Sequence, residues 1–368
     1  WVSTDTVAME PSIRNFRGQA LLNRDMTSVS WFVSAPYSGG YHTGTLRING
    51  KTPKVSTWRW QPYQGLRKGT LDRLDILSST RMLFEKDAVM WQVEITNNDT
   101  LARDVSLDLD MIGFISKYGG DWQWWYPYPK MSGMVTKRDE ETENIRENLG
   151  EQIFAKEGMS WELVNGKPAL QKILMKWPSD SEILDCKKYH ATAENNTVYI
   201  HDTETNAITV FYVVTTPDGI DTKNSGATAS WKCKIGSGET KSIKYFMTYG
   251  DNIDALKMNI ADWSANFDAS FNGIKTSWEE KWNMIFKPGN SLISGCFPVL
   301  ETPDSIAKKV YYTSPLTMLY LTNTNLPEHS KVFLTGGPRW GASISFFWDI
   351  DGREMLVRQA ADSYRLWT

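Results

Sequence analysis

Apolar residues recur at every second position through much of the first 250 residues. Val89, Trp91, Val93 and Ile95 alternate with Met90, Gln92 and Glu94, and after the polar turn Asn97-Asn98-Asp99 a second alternation runs through Val105, Leu107, Leu109 and Met111. A period of two places one set of side chains on a single strand face, so these runs predict a hairpin with one buried face. Val198, Ile200, the run from Ile208 to Val214, and Ile243, Tyr245, Met247 and Tyr249 repeat the theme, punctuated by Pro217-Asp218-Gly219 and Gly236-Ser237-Gly238. Many strands with polar turns and no intervening helices predict an antiparallel β-sandwich over residues 1–252.

The period then changes. Leu256, Ile260, Trp263, Phe267, Phe271, Ile274, Trp278, Trp282 and Ile285 are spaced by threes and fours, which predicts an amphipathic helix, or a helix pair broken near Gly273. Lys287-Pro288-Gly289-Asn290 stops it, so residues 253–290 read as a helical linker. Thr302-Pro303 has the cap and first-turn chemistry of a new helix that carries Ile306, Val310, Leu316 and Leu321 inward, with a kink or break at Pro315. Further on, Asp351 with Glu354 matches a capping box opening a helix to about Trp367. Residues 291–368 therefore read as the start of an all-helical domain, expected to be incomplete because its two or three helices cannot bury their own apolar faces.

Composition narrows the chemistry. Among 368 residues there are 17 Trp and 15 Tyr but only 4 His, a bias towards stacking surfaces and away from histidine-based catalysis. The formal net charge of -3 offers no basic excess for nucleic acid or an anionic membrane. Cys186, Cys233 and Cys296, far apart and odd in number, read as ordinary thiols. No apolar run is long enough for a membrane span. A start at Trp1 without Met suggests a processed or trimmed N-terminus, so an exported protein (periplasmic, cell-surface or extracellular) is expected, with the cytoplasm left open. The sequons at Asn98 and Asn195 carry meaning only in a host that glycosylates them.

Gly-x-Ser-x-Gly, His-x-x-x-His and glycine-rich phosphate loops are all missing from the sequence. No cofactor is assigned, and a structural calcium in a sandwich loop stays open. Two stretches resist the strand reading. Asp121 to Pro129 holds five aromatic rings and two prolines, a candidate binding loop or a surface packed against a neighbouring domain; Lys137 to Glu147 reads as a solvated excursion.

The densest chemistry lies in Gly336-Gly337-Pro338-Arg339-Trp340 and Phe346-Phe347-Trp348-Asp349: a turn, a guanidinium, large rings and a carboxylate within fourteen residues. Aromatic faces stack on pyranose rings, while a guanidinium and a carboxylate hold hydroxyls through charge-assisted bonds. This stretch resembles the first signature of the glucosidase and trehalase-like clan of (α/α)6-toroid glycoside hydrolases, which in trehalases runs Pro-Gly-Gly-Arg-Phe and then Trp-Asp. The order of parts, a β-supersandwich, a helical linker and then helical hairpins, resembles that clan as well.

The resemblance implies an exo-acting hydrolase that inverts the anomeric centre of an oligosaccharide or glycan, using two carboxyl groups. It implies that Arg339, Trp340, Phe347, Trp348 and Asp349 bind substrate, and that the catalytic pair lies beyond Thr368 in the remainder of the same catalytic domain. A competing assignment makes Asp349 the acid, its proton affinity raised by desolvation beside Trp348. Two other readings stay open: a non-catalytic carbohydrate-binding sandwich that stacks sugars on Trp122 to Tyr128, and a mutarotase-like sandwich using His42, His190 or His201 with a Glu.

Overall fold

A computed structural model describes residues 1–7, 10–34, 36–117, 159–164, 167–172, 184–186, 188–293, 295–325, 332–334 and 347–348. The Asp121 to Pro129 loop and the Lys137 to Glu147 excursion lie outside these residues.

The described residues are mostly antiparallel strands, with three longer helices after residue 252. A nine-stranded sheet is centred on Ala88–Asn97, which pairs with Leu74–Met82 on one side and Thr240–Gly250 on the other. A four-stranded sheet contains Arg103–Ile112 between Gly226–Ile235 and Thr45–Ile48, and a five-stranded sheet runs from Ser12–Arg14 to Ile115–Lys117. One apolar core joins them: Trp91, Val93 and Ile95 from the large sheet meet Val105, Leu107, Leu109 and Met111 from the four-stranded one. This is a β-sandwich.

The predicted hairpin is therefore corrected. Ala88–Asn97 and Arg103–Ile112 do not pair with each other; they belong to different sheets that share the core. Asn97 makes the corner between them, its side-chain amide donating to the carbonyls of Leu101 (2.9 Å), Ile235 (3.0 Å) and Gly236 (3.2 Å). Alternation reports which face is buried, whereas the partner strand depends on the whole fold.

The large sheet is buried on both faces at its centre, which explains the unbroken apolar run from Ile208. Its inner face carries Trp91 and Tyr245, whose rings stack 4.8 Å apart. Its outer face carries Ala88, Met90, Val210 and Phe246, covered by α1 (Ile253–Ala265) and α2 (Phe267–Met284). Leu256, Ile260, Trp263, Phe267, Phe271, Ile274, Trp278 and Ile285 are all buried in this second cluster, and Trp282 packs against it. Removal of such side chains from water, at roughly 1.5–3 kcal/mol each, outweighs the weak propensity of aromatic residues for helix.

The helix pair breaks at Asn266, not near Gly273, which lies inside α2. The Asn266 side chain donates to the Asp262 carbonyl (3.1 Å), closing α1 while leaving both apolar stripes on the sheet. The cap of helix α3 (Ser305–Leu321) falls two residues later than expected, at Asp304, whose side chain accepts from the N–H groups of Ile306 and Ala307. It continues through Pro315 without a break. Ile306 and Val310 point outward, 73% and 52% exposed, contrary to the inward placement expected of them. The reason is that α3 meets the rest of the molecule through its second half, where Pro315, Leu319 and Tyr320 are buried.

Candidate functional site

The last turn of α3 is anchored to the sandwich by aromatic and polar contacts. The Tyr320 hydroxyl donates a short hydrogen bond to the Ser12 carbonyl, and the Trp60 indole N–H donates to the same oxygen (2.9 Å). The two rings meet edge to face at 5.2 Å, and the Arg14 guanidinium lies over the Tyr320 ring at 5.6 Å. Burial lowers the Arg14 guanidinium to about 10 and pushes the Tyr320 phenol up.

Beyond α3, Thr322–Asn323 pairs with Val332–Leu334, which pairs in turn with Phe347–Trp348. The register sets Trp348 opposite Phe333 and Phe347 opposite Leu334. The entrance to this small sheet is tied down: the Thr324 N–H and hydroxyl both donate to the Phe16 carbonyl (2.7 and 3.0 Å), and the Asn325 amide donates to the Ser34 hydroxyl (3.3 Å). Ser34 donates to Asp87 (2.7 Å), which also holds Arg17 through two bonds of 3.0 and 2.7 Å. That pairing with Asp87 holds the Arg17 guanidinium above its ordinary value. Of the predicted substrate residues, Phe347 and Trp348 thus lie in a strand hydrogen-bonded back towards the sandwich junction, whereas Arg339, Trp340 and Asp349 lie outside the described residues.

Next to this junction is a cleft of about 1110 Å³ between the N-terminal segment, the 60–63 turn, α2 and α3. Trp60, Tyr63, Trp278, Trp282, Tyr312 and Tyr320 line it, with Glu10, Glu279, Lys308 and Lys309 among the remaining wall residues. Sequence reasoning missed this feature. Trp278 and Trp282 have the spacing of a helical core stripe, and nothing in the sequence places Trp60 and Tyr312 beside them.

Neither a family model nor a curated protein matches the chain. Solved structures do resemble it. A chain described as a kojibiose phosphorylase from the human microbiome is 9% identical, with a TM-score of 0.43, over 84% of this chain and 39% of its own. A bacterial glucoamylase complexed with acarbose is 6% identical, with a TM-score of 0.45, over 87% of this chain and 42% of its own. A galactose mutarotase related enzyme from Lactobacillus acidophilus is 8% identical, with a TM-score of 0.35, over 66% of this chain and 97% of its own. These neighbours are carbohydrate-active enzymes, and the chain spans about two fifths of the length of the first two.

The histidines of the mutarotase-like reading fall in two places. His190 and His201 face each other across the paired strands Tyr189–Glu194 and Thr197–Asp202, and burial with the neighbouring His190 lowers His201 below its ordinary value. His42 lies in a different loop, 3.6 Å from the buried Asp25 carboxylate and 3.4 Å from the Ser28 hydroxyl. Among the described residues no group of three or more His, Cys, Asp or Glu is arranged to hold a metal ion, and no helix is long and apolar enough to cross a membrane. The three cysteines are free thiols.

Proposed function

We propose that the chain belongs to a carbohydrate-processing enzyme and that its activity is exo-acting, inverting glycoside hydrolysis, with α3 as the first helix of an (α/α)6 domain. One observation supports this most directly. The Gly336 to Asp349 stretch, rich in stacking rings and bearing Arg339 and Asp349, ends on a strand linked through Val332–Leu334 to the end of α3, where Thr324 and Asn325 are fixed to the sandwich.

In this reading Arg339 and Asp349 hold sugar hydroxyls while Trp340, Phe347 and Trp348 wall the cleaved subsite. A general acid outside this stretch gives its proton to the glycosidic oxygen as the C1–O bond breaks. A second carboxylate takes a proton from water, whose oxygen attacks C1 from the opposite face, so the products are the free alcohol and the inverted hemiacetal. The two carboxyl groups then stand about 6.5–9.5 Å apart, leaving room for that water.

The test uses the protein as encoded, a panel of α- and β-linked oligosaccharides, and proton NMR of the first anomer released. Inverted product formed without inorganic phosphate is expected; a retained anomer, or a requirement for phosphate, refutes the assignment. Asp349→Asn should reduce turnover of every substrate by at least a hundredfold. Recovery of rate on substrates with activated leaving groups would make Asp349 the acid instead.

A further inference from the structure

We infer that the cleft between the sandwich, α2 and α3 binds a chain of neutral sugar rings. Neither Arg339 nor Asp349 takes part in this binding, which goes beyond the hydrolytic reading.

Size comes first. Ligand pockets commonly enclose about 300–1,000 Å³. At about 1110 Å³ this cleft lies just above that range and has room for several pyranose rings.

The rings lining it are set to present faces more than polar edges. Trp60 is 39% exposed, yet its N–H is committed to the Ser12 carbonyl, so what it offers a ligand is its ring surface. The Tyr320 hydroxyl is committed to the same carbonyl, and the Tyr312 hydroxyl accepts from the Leu300 N–H at 3.0 Å. Trp282 meets Tyr312 edge to face at 5.8 Å, so two differently oriented surfaces adjoin on the helical wall. Aromatic surfaces of this kind match the C–H faces of pyranoses, which are flat and apolar while their rims are polar.

A polar requirement separates a sugar from an apolar helix as occupant. Trp278 lines the cleft and is only 3% exposed, and its indole N–H has no acceptor among the described residues. Buried donors of this type almost always find a partner. A helix packed into the cleft would bring aliphatic side chains and carbonyls already used within the helix. A sugar brings hydroxyl oxygens that can accept from such a donor.

The wall chemistry agrees. Glu10 and Glu279 are engaged with Arg24 and Lys275, whereas Lys308 and Lys309 make no ion pair among the described residues and keep donors for hydroxyls. On the same α3 wall the Thr313 and Thr317 hydroxyls donate to the Lys309 and Thr313 carbonyls (2.6 and 2.8 Å), so they offer a ligand only acceptors. With both signs of charge present, the cleft does not select a polyanion.

The experiment is isothermal titration of the protein as encoded with maltohexaose, cellohexaose and xylohexaose, repeated with Trp60→Ala and Trp282→Ala. At least one hexasaccharide is expected to bind, and each substitution to weaken it tenfold or more. Circular dichroism and thermal melting establish that both variants are folded; should either unfold, Trp60→Phe and Trp282→Phe, which retain a ring, should bind with intermediate affinity. No binding of any hexasaccharide overturns the inference. So does binding unaffected by both substitutions, or a change in oligomeric state in sedimentation that tracks them, which would make the cleft a protein interface. Binding weakened by the two substitutions stands whichever anomer the hydrolysis assay returns, which separates this site from the proposed subsite.

Discussion

Arg67→Met is the sharpest probe of how the sandwich is held together. The Arg67 guanidinium is fully buried and donates to the carbonyls of Asn23 (3.3 Å), Asp25 (3.2 Å), Ser28 (2.8 Å) and Thr27 (2.6 Å) and to the Thr80 hydroxyl (2.7 Å). Summing five hydrogen bonds would overstate its contribution. The Thr27 carbonyl also accepts from the Trp91 indole (2.7 Å), and the Ser28 carbonyl from the Asn23 N–H (3.1 Å), so both keep a partner when Arg67 is lost. A further effect is electrostatic, because the buried Asp25 carboxylate, held locally by the Thr27 and Ser28 N–H groups and the Ser28 hydroxyl, loses the field of the nearby cation. Leaving buried acceptors without their donor costs about 1–3 kcal/mol.

Burial pushes the Asp25 carboxyl up, but the hydrogen bond to His42, the field of Arg67 and the Ser28 hydroxyl together hold it well below the usual carboxylate range. A carboxyl depressed in the folded state contributes stability that is present above its unfolded value of about 3.9 and is lost as pH falls through its folded value. In Arg67→Met that depression shrinks. The penalty measured by urea denaturation should therefore be fully developed at pH 7 and smaller below pH ~4. A penalty under about 1 kcal/mol at pH 7, or one that stays the same in acid, would refute this account.

Gly44 has φ of +81°, and a Cβ there would sit 3.3 Å from the Tyr245 ring, so Gly44→Ala should cost about 1–2 kcal/mol in thermal or urea unfolding. Asp304→Ala removes the side-chain cap of α3 and should cost about 1 kcal/mol, read as faster hydrogen exchange confined to its first turn. Burial raises the Cys186 and Cys233 thiols, and both are partly covered, whereas Cys296 is exposed; iodoacetamide at pH 8 should label Cys296 first, as read by peptide mass spectrometry.

What the sequence makes legible is face, and what it hides is partnership. The alternation through Trp91 and through Leu107 correctly marks buried faces, and the three-four spacing from Leu256 to Ile285 correctly marks a helical stripe. Burial is a property of one residue and leaves its trace in one chain segment. Pairing is a property of two distant segments: Trp91 stands opposite Tyr245, more than 150 positions away, and nothing local to Asn97 announces that the chain turns a corner there instead of a hairpin. The helix break at Asn266 was hidden for a related reason. An Asn that caps a carbonyl ends a helix as effectively as a glycine, and it leaves the apolar period undisturbed.

The candidate sites divide along the same line. The Gly336 to Asp349 stretch could be noticed because its rings, guanidinium and carboxylate are consecutive in sequence, a local concentration that needs no fold to be visible. The cleft has comparable aromatic content, but it is assembled from Trp60, Trp278 and Tyr312, which the chain keeps more than 200 residues apart at the extremes. Its helical half read as core, since a Trp at i and i+4 beside other apolar residues satisfies the stripe whether it faces a sheet or an opening. Exposure separates the two cases: Trp278 is buried, while Trp282 remains only partly covered. If the stripe served packing alone, Trp282→Ala should lower stability and leave sugar affinity unaffected. A tenfold loss of hexasaccharide affinity with little change in melting temperature would place that side chain in recognition.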